Sequence, residues 1–465
     1  MKEVNLLTEG SIQKTLLKLA LPIMGSSFIQ MTYSLADMIF IGKLGSKAVA
    51  GVGTAGFFPW LAMAFIMIPR IGAEVGVAQS IGGKNIKSAL EFIRSCLQLV
   101  IFLALIYSTV LIVFKDSLID FFHLGDPSVI QMAKDYLLIV SYGMIFTFLN
   151  PVLTGVLNGH GNSRTPFYIN VIGVITNIIL DPLLIFGIGP FPVLGVEGAA
   201  IATVFAQMIV TFFLFKAVKA QLSYTSKVGF FQVPNWNILK KVFTLGLPVA
   251  LQNGLFTFIS MIIARLIAQW GPVPVAVQQI GSQIESISWN TANGFSTALA
   301  AFVGQNYGAK KWDRINKGYH IAVRIMTTIG LITTVLLIFG ARPIFSIFLS
   351  EKEAIYYGVK YLKILGISQL FMCLEITTAG AFNGLGKTVP PSVVSIVFTS
   401  LRIPAAVFLS SNAVLGVTGV WWSVSLSSVF KGIVLVTWYV IYLNRVKGKT
   451  HLAEQKEVKR EIFER

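Results

Sequence analysis

Long apolar runs recur from one end of the chain to the other and restrict it to a membrane. A helix needs roughly 20 apolar residues to cross about 30 Å of hydrocarbon. The 465-residue sequence, 55% hydrophobic and 12% charged, offers twelve such runs. β-Barrels have alternating segments of about ten residues, which these runs do not resemble. We therefore predict an all-α integral membrane protein with twelve transmembrane helices, at about 16–42, 48–69, 90–114, 134–157, 166–187, 195–218, 240–269, 275–298, 316–341, 354–383, 390–411 and 416–443.

The basic residues are distributed unevenly between the two sides of this topology. Of 37 Lys and Arg residues, 23 fall on the side of the amino terminus and eight on the opposite side. The positive-inside rule then predicts that both termini are in the cytoplasm. We expect a multi-pass protein of the plasma membrane. The net charge of +17 reflects this topology, so anionic lipid is the expected partner and nucleic acid is not.

Short motifs repeat at a nearly constant offset, which indicates an internal duplication. Leu-Ala-Leu-Pro ending at Pro22 matches Leu-Gly-Leu-Pro ending at Pro248, and Asn-Gly-x-Gly starts at both Asn158 and Asn383. Each repeat holds six spans, so we predict two six-helix lobes related by a pseudo-two-fold axis along the membrane normal. The predicted parts are a cytoplasmic N-terminal segment (1–15), an amino-terminal lobe (16–218), a cytoplasmic linker (219–239), a carboxy-terminal lobe (240–443) and a basic cytoplasmic tail (444–465).

Acidic residues inside predicted spans need a partner, a cavity or a proton, because each costs roughly 2.5 to 3.5 kcal/mol on insertion scales. In the first span, Gln30, Tyr33 and Asp37 follow Pro22 at three- and four-residue spacing and form a polar stripe. The stripe predicts a surface that faces protein or water. The alternative is that Asp37 only marks a helix end at the membrane interface.

The fifth span carries a second acid within a group of oxygen donors. Asn177 lies one turn before Asp181, and Pro182 frees a backbone carbonyl on the preceding turn. Carboxylate, amide and carbonyl oxygens suit a hard cation such as Na⁺, or a proton. The alternative is structural pairing of Asp181 with Arg402 or Arg265.

The second half is polar as well. The eighth span carries an amide-rich stripe that includes Gln283 and Asn290, with Glu285 beside it, and the tenth span carries Glu375. Such residues either line a transport pathway or join helices through hydrogen bonds.

Neither ATP chemistry nor histidine chemistry fits the sequence. Gly384 to Thr388 resembles a phosphate-binding loop, but the pattern requires glycine where Ala381 stands, and no strand precedes it. The four histidines are too widely spaced to form a catalytic or metal cluster. We expect no enzyme activity, no ATP and no cofactor other than a coupling ion.

The motifs together resemble the MATE (multidrug and toxic compound extrusion) family over nearly the whole chain. They are Ala-Asp-Met-Ile-Phe-Ile-Gly-Lys-Leu-Gly around Asp37, Val-Ala-Gln-Ser-Ile-Gly-Gly with its repeat Val-Gly-Gln-Asn-Tyr-Gly-Ala, the paired Asn-Gly-x-Gly turns, and Asn177-x-x-x-Asp181-Pro182. The resemblance implies a two-lobe antiporter that exchanges inward-moving H⁺ or Na⁺ for an outward-moving drug, usually cationic and amphipathic.

The resemblance also implies where the coupling ion binds. In the prokaryotic branch, the amino-lobe cation site corresponds here to Asp37, Asn177, Asp181 and Thr203, where H⁺ or Na⁺ would bind. The other branch uses acids in the seventh and tenth spans. This chain has Asn253 in the first of these regions, and its Glu375 lies about a turn from the aligned position. The sequence therefore does not decide whether the carboxy-terminal lobe has an ion site of its own.

The sequence thus predicts a secondary-active multidrug exporter. The expected substrate cavity is lined by polar side chains of both lobes, with Pro22 as a kink in the first helix. A lipid-linked oligosaccharide flippase of related fold is the alternative, although its cavity should be strongly cationic. A membrane transferase would need a surface loop rich in His, Asp or Glu. The cavity residues that we predict are Gln30, Tyr33, Tyr136, Gln283, Glu285, Asn290 and Glu375.

Overall fold

The computed structural model describes residues 7–221, 232–348, 351–411 and 415–463, and every regular element in these ranges is a helix. Residues 1–6 of the predicted N-terminal segment and 222–231 of the predicted linker lie outside the described residues. The helices in chain order are α1 (Ile12–Gly42), α2 (Ser46–Gly82), α3 (Ile86–Asp120), α4 (Pro127–Gly159), α5 (Arg164–Phe186), α6 (Gly195–Gln221), α7 (Trp236–Ala268), α8 (Pro272–Gly308), α9 (Trp312–Phe339), α10 (Ala341–Ser346), α11 (Lys352–Gly384), α12 (Val389–Ser400), α13 (Arg402–Leu409) and α14 (Val417–Phe463).

Ten helical segments among the described residues are long and apolar enough to cross a membrane, counting α12 and α13 as one segment. Two further helices, α1 with 31 residues and α8 with 37, are also long enough to span, and they carry the predicted polar stripes. The all-α membrane architecture is therefore confirmed. The eleventh predicted span is divided into α12 and α13 at Leu401, and α14 continues to Phe463.

The chain forms two compact units. The first comprises Met1–Glu9 and Leu17–Gly254, and the second comprises Gly10–Leu16 and Leu255–Arg465. Within the first unit, α4 packs against α2, α3 and α6. Within the second unit, α11 packs against α8, α9 and α14. Each unit thus has one helix that packs against three others.

The duplication read from the sequence is also present in the backbone. Lys84 and Lys310, 226 residues apart, both adopt a left-handed conformation, with φ of 55° and 58°. This conformation is uncommon for a residue with a side chain. Gly161 and Gly386 at the ends of the Asn-Gly-x-Gly turns match in the same way, with φ of 82° and 73°. The two halves therefore share their tight turns as well as their apolar runs.

Local sequence signals explain where helices begin. Pro127 occupies the first turn of α4, where a missing N–H costs nothing. Asp126 caps this helix by accepting a hydrogen bond from the Ser128 backbone N–H at 2.9 Å. Its carboxylate also forms a 2.7 Å ion pair with Lys47 of α2. The hydrogen bonds from Lys47 and Ser128 hold the pKa of Asp126 well below its usual range.

Candidate functional site

The first unit brings together the residues that the sequence predicts as a cation site. Asn177 and Asp181 on α5 are fully buried, and Asn177 Nδ2 donates a hydrogen bond to Asp181 Oδ1 at 3.1 Å. Asp37 on α1 lies within electrostatic range of Asp181. We call Asp37, Asn177, Asp181, Thr203, Tyr33 and Tyr136 the cation cluster.

Tyrosine and threonine side chains connect three helices around these acids. Tyr33 on α1 donates a hydrogen bond from its hydroxyl to Thr203 Oγ1 on α6 at 3.2 Å. The hydroxyl of Tyr136 on α4 also bonds to Thr203 and lies within electrostatic range of Asp37 and Asp181. Thr203 is thus the meeting point of α1, α4 and α6, which sequence spacing alone does not reveal.

The cluster contains oxygen atoms that lack donors. Asp37 Oδ1, Asp181 Oδ2 and Asn177 Oδ1 are all buried and accept no hydrogen bond. Buried polar atoms are normally paired, and an ionised carboxylate offers only acceptors. Two acids close together in a poorly hydrated site need a positive charge or a proton. The chemistry of these atoms therefore fits a proton or a small hard cation.

The donor set is unlike that of a transition-metal site. Among the described residues there is no group of three or more His, Cys, Asp or Glu side chains that could hold a metal ion. The cluster supplies two carboxylates, an amide and hydroxyls. Such oxygen donors suit Na⁺ or H⁺ far better than Zn²⁺ or Cu²⁺.

Two other predicted residues lie on α1, both before the cluster residues of that helix. Pro22 is inside α1, and the helix continues through it, with Ser26 Oγ donating to the Pro22 carbonyl at 3.1 Å. Gln30 is exposed, seven residues before Asp37, and so occupies the same face of the helix. The polar stripe read from the sequence thus leads along α1 toward Asp37.

In the second unit, Glu375 is part of a buried ion pair. Lys431 Nζ on α14 lies 3.1 Å from Glu375 Oε2 on α11, and both side chains are less than 10% exposed. The sequence analysis did not single out Lys431 because nothing near it in sequence identifies a partner. The pair means that Glu375 is already neutralised.

A second basic group lies beside this pair. Arg402 on α13 is buried and donates from Nε to Ser427 Oγ at 2.6 Å and from Nη2 to Ser428 Oγ at 3.1 Å. It interacts electrostatically with both Glu285 and Glu375. The hydrogen-bond partners of Arg402 therefore lie within its own unit.

The predicted residues of α8 divide between two faces of the helix. Glu285 hydrogen bonds with Tyr361 on α11, and its Oε1 atom is buried without a partner. Gln283 is exposed and Asn290 is half-buried. Because they are seven residues apart, Gln283 and Asn290 share a face that Glu285 does not. The structure therefore brings Glu285 together with Glu375, and it places the two amides elsewhere.

Comparison with known proteins covers both halves of the chain. The MatE family model matches residues 22–183 and 248–408. A "Probable multidrug resistance protein NorM" of Thermotoga maritima is 30% identical over 419 residues, 88% of each chain. A "FAD transporter" of Shewanella oneidensis is 26% identical over 441 residues, 93% of this chain and 95% of the relative.

Solved structures agree with the described architecture. A crystal structure of "MATE in the bent conformation" superimposes with a TM-score of 0.87 at 23% identity. The superposition includes 97% of this chain and 99% of the solved chain. The similarity therefore extends over the entire fold, including the helices that carry the cation cluster.

Proposed function

Because the chain belongs to the MatE family of membrane transporters, we propose that it exports amphipathic, often cationic drugs in exchange for H⁺ or Na⁺ bound at the cation cluster. Family membership confirms a multi-pass membrane transporter and excludes an enzyme. Relatives named multidrug resistance proteins support drug efflux as the activity. The plasma membrane, with both termini in the cytoplasm, is the proposed location.

The observation that carries the proposal is the set of unpaired buried oxygens on Asp37, Asn177 and Asp181. Two mutually repelling carboxyl groups favour capture of one positive charge from outside. Ion binding at these residues and drug binding then exclude each other, so ion entry drives drug release. One charge moving through 100 mV supplies about 2.3 kcal/mol, enough for a gradient of tens-fold for a neutral substrate.

The buried charges of the second unit favour an exporter over a flippase. A site for lipid-linked pyrophosphate needs unneutralised cations, whereas Lys431 is paired with Glu375, and Arg402 lies beside Glu285 and Glu375. No ATP and no organic cofactor enter the proposed cycle, which leaves H⁺ or Na⁺ as the energy source. Neutralised in this way, Glu375 contributes to the fold of its unit and not to ion coupling.

Dye efflux from proteoliposomes tests the proposal directly. Ethidium-loaded vesicles are given an inward pH gradient or an inward Na⁺ gradient, and each is compared with no gradient. We expect at least one gradient to accelerate efflux in the native protein, and Asp37→Asn to remove the acceleration while leaving the protein folded. Normal gradient-driven efflux by that variant would contradict the assignment of Asp37. Product formation from a lipid donor, or arginine-dependent transport of a lipid pyrophosphate, would contradict the exporter itself.

A further inference from the structure

The first unit contains an apolar cavity that the cation cluster does not use. It has a volume of about 350 Å³ and lies between α3, α4 and α6. None of its lining residues belongs to the cation cluster. Those used below are Leu97, Ile101, Leu153, Met208, Phe212 and Phe215.

The cavity has a buried floor and an open side. Leu97 and Leu153 at its floor are 3% and 0% exposed, whereas Phe212 and Phe215 at its rim are 62% and 46% exposed. Phenylalanine rings exposed on a membrane-spanning helix are suited to contact with lipid hydrocarbon. The cavity is therefore a groove that opens sideways toward the hydrocarbon of the bilayer.

Basic side chains stand at one end of this groove. Met208, Phe212 and Phe215 follow one another at four- and three-residue spacing on α6, and Lys219 continues the same stripe. On α3, Arg94 lies one turn before Leu97. The positive-inside rule assigns this end of the groove to the cytoplasmic leaflet.

Arg94 has unused capacity to bind an anion. Its guanidinium donates to the Gln232 side chain, but its Nε atom is buried and has no hydrogen-bond partner. Glu91, one turn earlier on α3, accepts a hydrogen bond from Asn235 at 3.3 Å. Lys219 is exposed. The polar end of the groove thus combines an available lysine with a partly satisfied arginine.

We propose that the groove binds an acyl chain of an anionic phospholipid from the cytoplasmic leaflet, with Lys219 and Arg94 holding its phosphate. The groove suits such a lipid in chemistry and charge, because its lining is apolar and basic side chains lie at one end. The lining lacks the carboxylate that would attract the ammonium group of a cationic drug. A zwitterionic lipid gains less, because its own positive headgroup opposes the basic pair.

Lipid binding to the purified full-length protein tests this site without any transport measurement. Native mass spectrometry compares phosphatidylglycerol with phosphatidylcholine of identical chains. We expect phosphatidylglycerol to bind more tightly, and Lys219→Gln to weaken it about fivefold, the usual effect of one basic residue near an anionic headgroup. Lys241→Gln on α7 is the matched control and should leave the preference unchanged, since Lys241 is exposed on a helix that does not line the groove.

A second pair of variants tests the apolar slot. Met208→Trp should fill the groove and weaken phosphatidylglycerol binding severalfold. Met261→Trp makes the same change at a position on α7 that is 56% exposed, and it should have no effect. Equal binding of the two lipids, or unchanged binding by Met208→Trp, would overturn the proposal. Displacement of the lipid by ethidium would also overturn it, by making the groove a drug site.

Discussion

Asn177 donates a hydrogen bond to one carboxylate oxygen of Asp181, at 3.1 Å, and leaves the other oxygen without a partner. Both residues are fully buried and one helical turn apart on α5. The amide thus holds the carboxylate in one orientation, and the free oxygen remains available for an ion. This arrangement gives a structural basis for the role that we propose for the weak sequence signal Asn-x-x-x-Asp-Pro.

We therefore expect Asp181→Asn to abolish gradient-driven efflux, because an amide neither carries the charge that attracts a cation nor binds a proton at neutral pH. The measurement is ethidium efflux from proteoliposomes with and without an imposed gradient. Asp116→Asn changes an acid whose side chain is 64% exposed and should retain normal efflux. If both variants lose coupling equally, the effect comes from general damage and not from the cluster.

Tyr33→Phe should weaken ion binding by a modest factor. The variant removes the hydrogen bond to Thr203, whose typical net value of 0.5–1.5 kcal/mol corresponds to about two- to tenfold in affinity. The ion concentration that gives half-maximal efflux should rise by that factor, while the maximal rate changes less. Tyr142→Phe, at a ring that is 65% exposed, is the control. A half-maximal concentration equal to that of the native protein would remove Tyr33 from the site.

Lys431→Met should destabilise the protein strongly, because it leaves the buried carboxylate of Glu375 without its 3.1 Å partner. Removing one partner of a buried ion pair typically lowers the free energy of unfolding by about 3–5 kcal/mol. Replacing both partners, Lys431→Met with Glu375→Gln, should recover most of the loss, and thermal unfolding in detergent measures it. Equal stability of the single and double variants would show that the charge of Glu375 is compensated by another group, such as Arg402.

The sequence was sufficient to predict an all-α membrane protein, because the thickness of the bilayer determines how long an apolar span must be. It also singled out Asp37 and Asp181 as candidates, since an acid among apolar residues is conspicuous, and Asn177 as their neighbour. It could not find the Glu375–Lys431 pair, whose members are 56 residues apart and meet only when α11 packs against α14. Nor could it show that Tyr33 and Tyr136 converge on Thr203, because that convergence depends on helix rotation.

His160 should make stability sensitive to acid. This residue, just after the end of α4, is 3% exposed, and burial lowers its pKa from 6.5 to about 4. Its neutral form is favoured in the folded state, so the stabilisation is complete above pH 6.5 and is lost as pH falls toward 4. The full effect is about 3 kcal/mol.

The variant His160→Leu tests this pH dependence, and the second repeat has leucine at the corresponding position, Leu385. Unfolding in detergent between pH 7 and 4 should be less pH-sensitive in the variant. His123→Asn, at an exposed position with a left-handed backbone that asparagine tolerates, is the control and should follow the native curve. A variant curve that also coincides with the native one would mean that other groups cause the acid sensitivity.

One contact between neighbouring helices occurs in both repeats, but the glycine and the phenylalanine that form it are exchanged between the two helices. Mutation can therefore test whether the repeats share the same helix packing. In the first unit, a Cβ on Gly76 would overlap the ring of Phe92. In the second unit, Phe302 occupies the position that matches Gly76, and a Cβ on Gly318 would overlap the ring of Phe302. The ring comes from α3 in one unit and from α8 in the other, but it fills the same space.

Gly76→Phe alone should prevent folding, because two rings would compete for one site in a close-packed interface. Adding Phe92→Gly copies the arrangement of the second unit and should restore a monodisperse, folded protein, measured by size-exclusion chromatography and thermal unfolding in detergent. Phe92→Gly alone leaves a cavity and should lower the free energy of unfolding by about 3–5 kcal/mol. The stability of the double variant is compared with this loss. If the double variant is no better than Gly76→Phe, the two units differ in helix spacing at this contact. A folded double variant would instead mean that the two repeats retain the same spacing between these helices, although the residues at the contact have diverged.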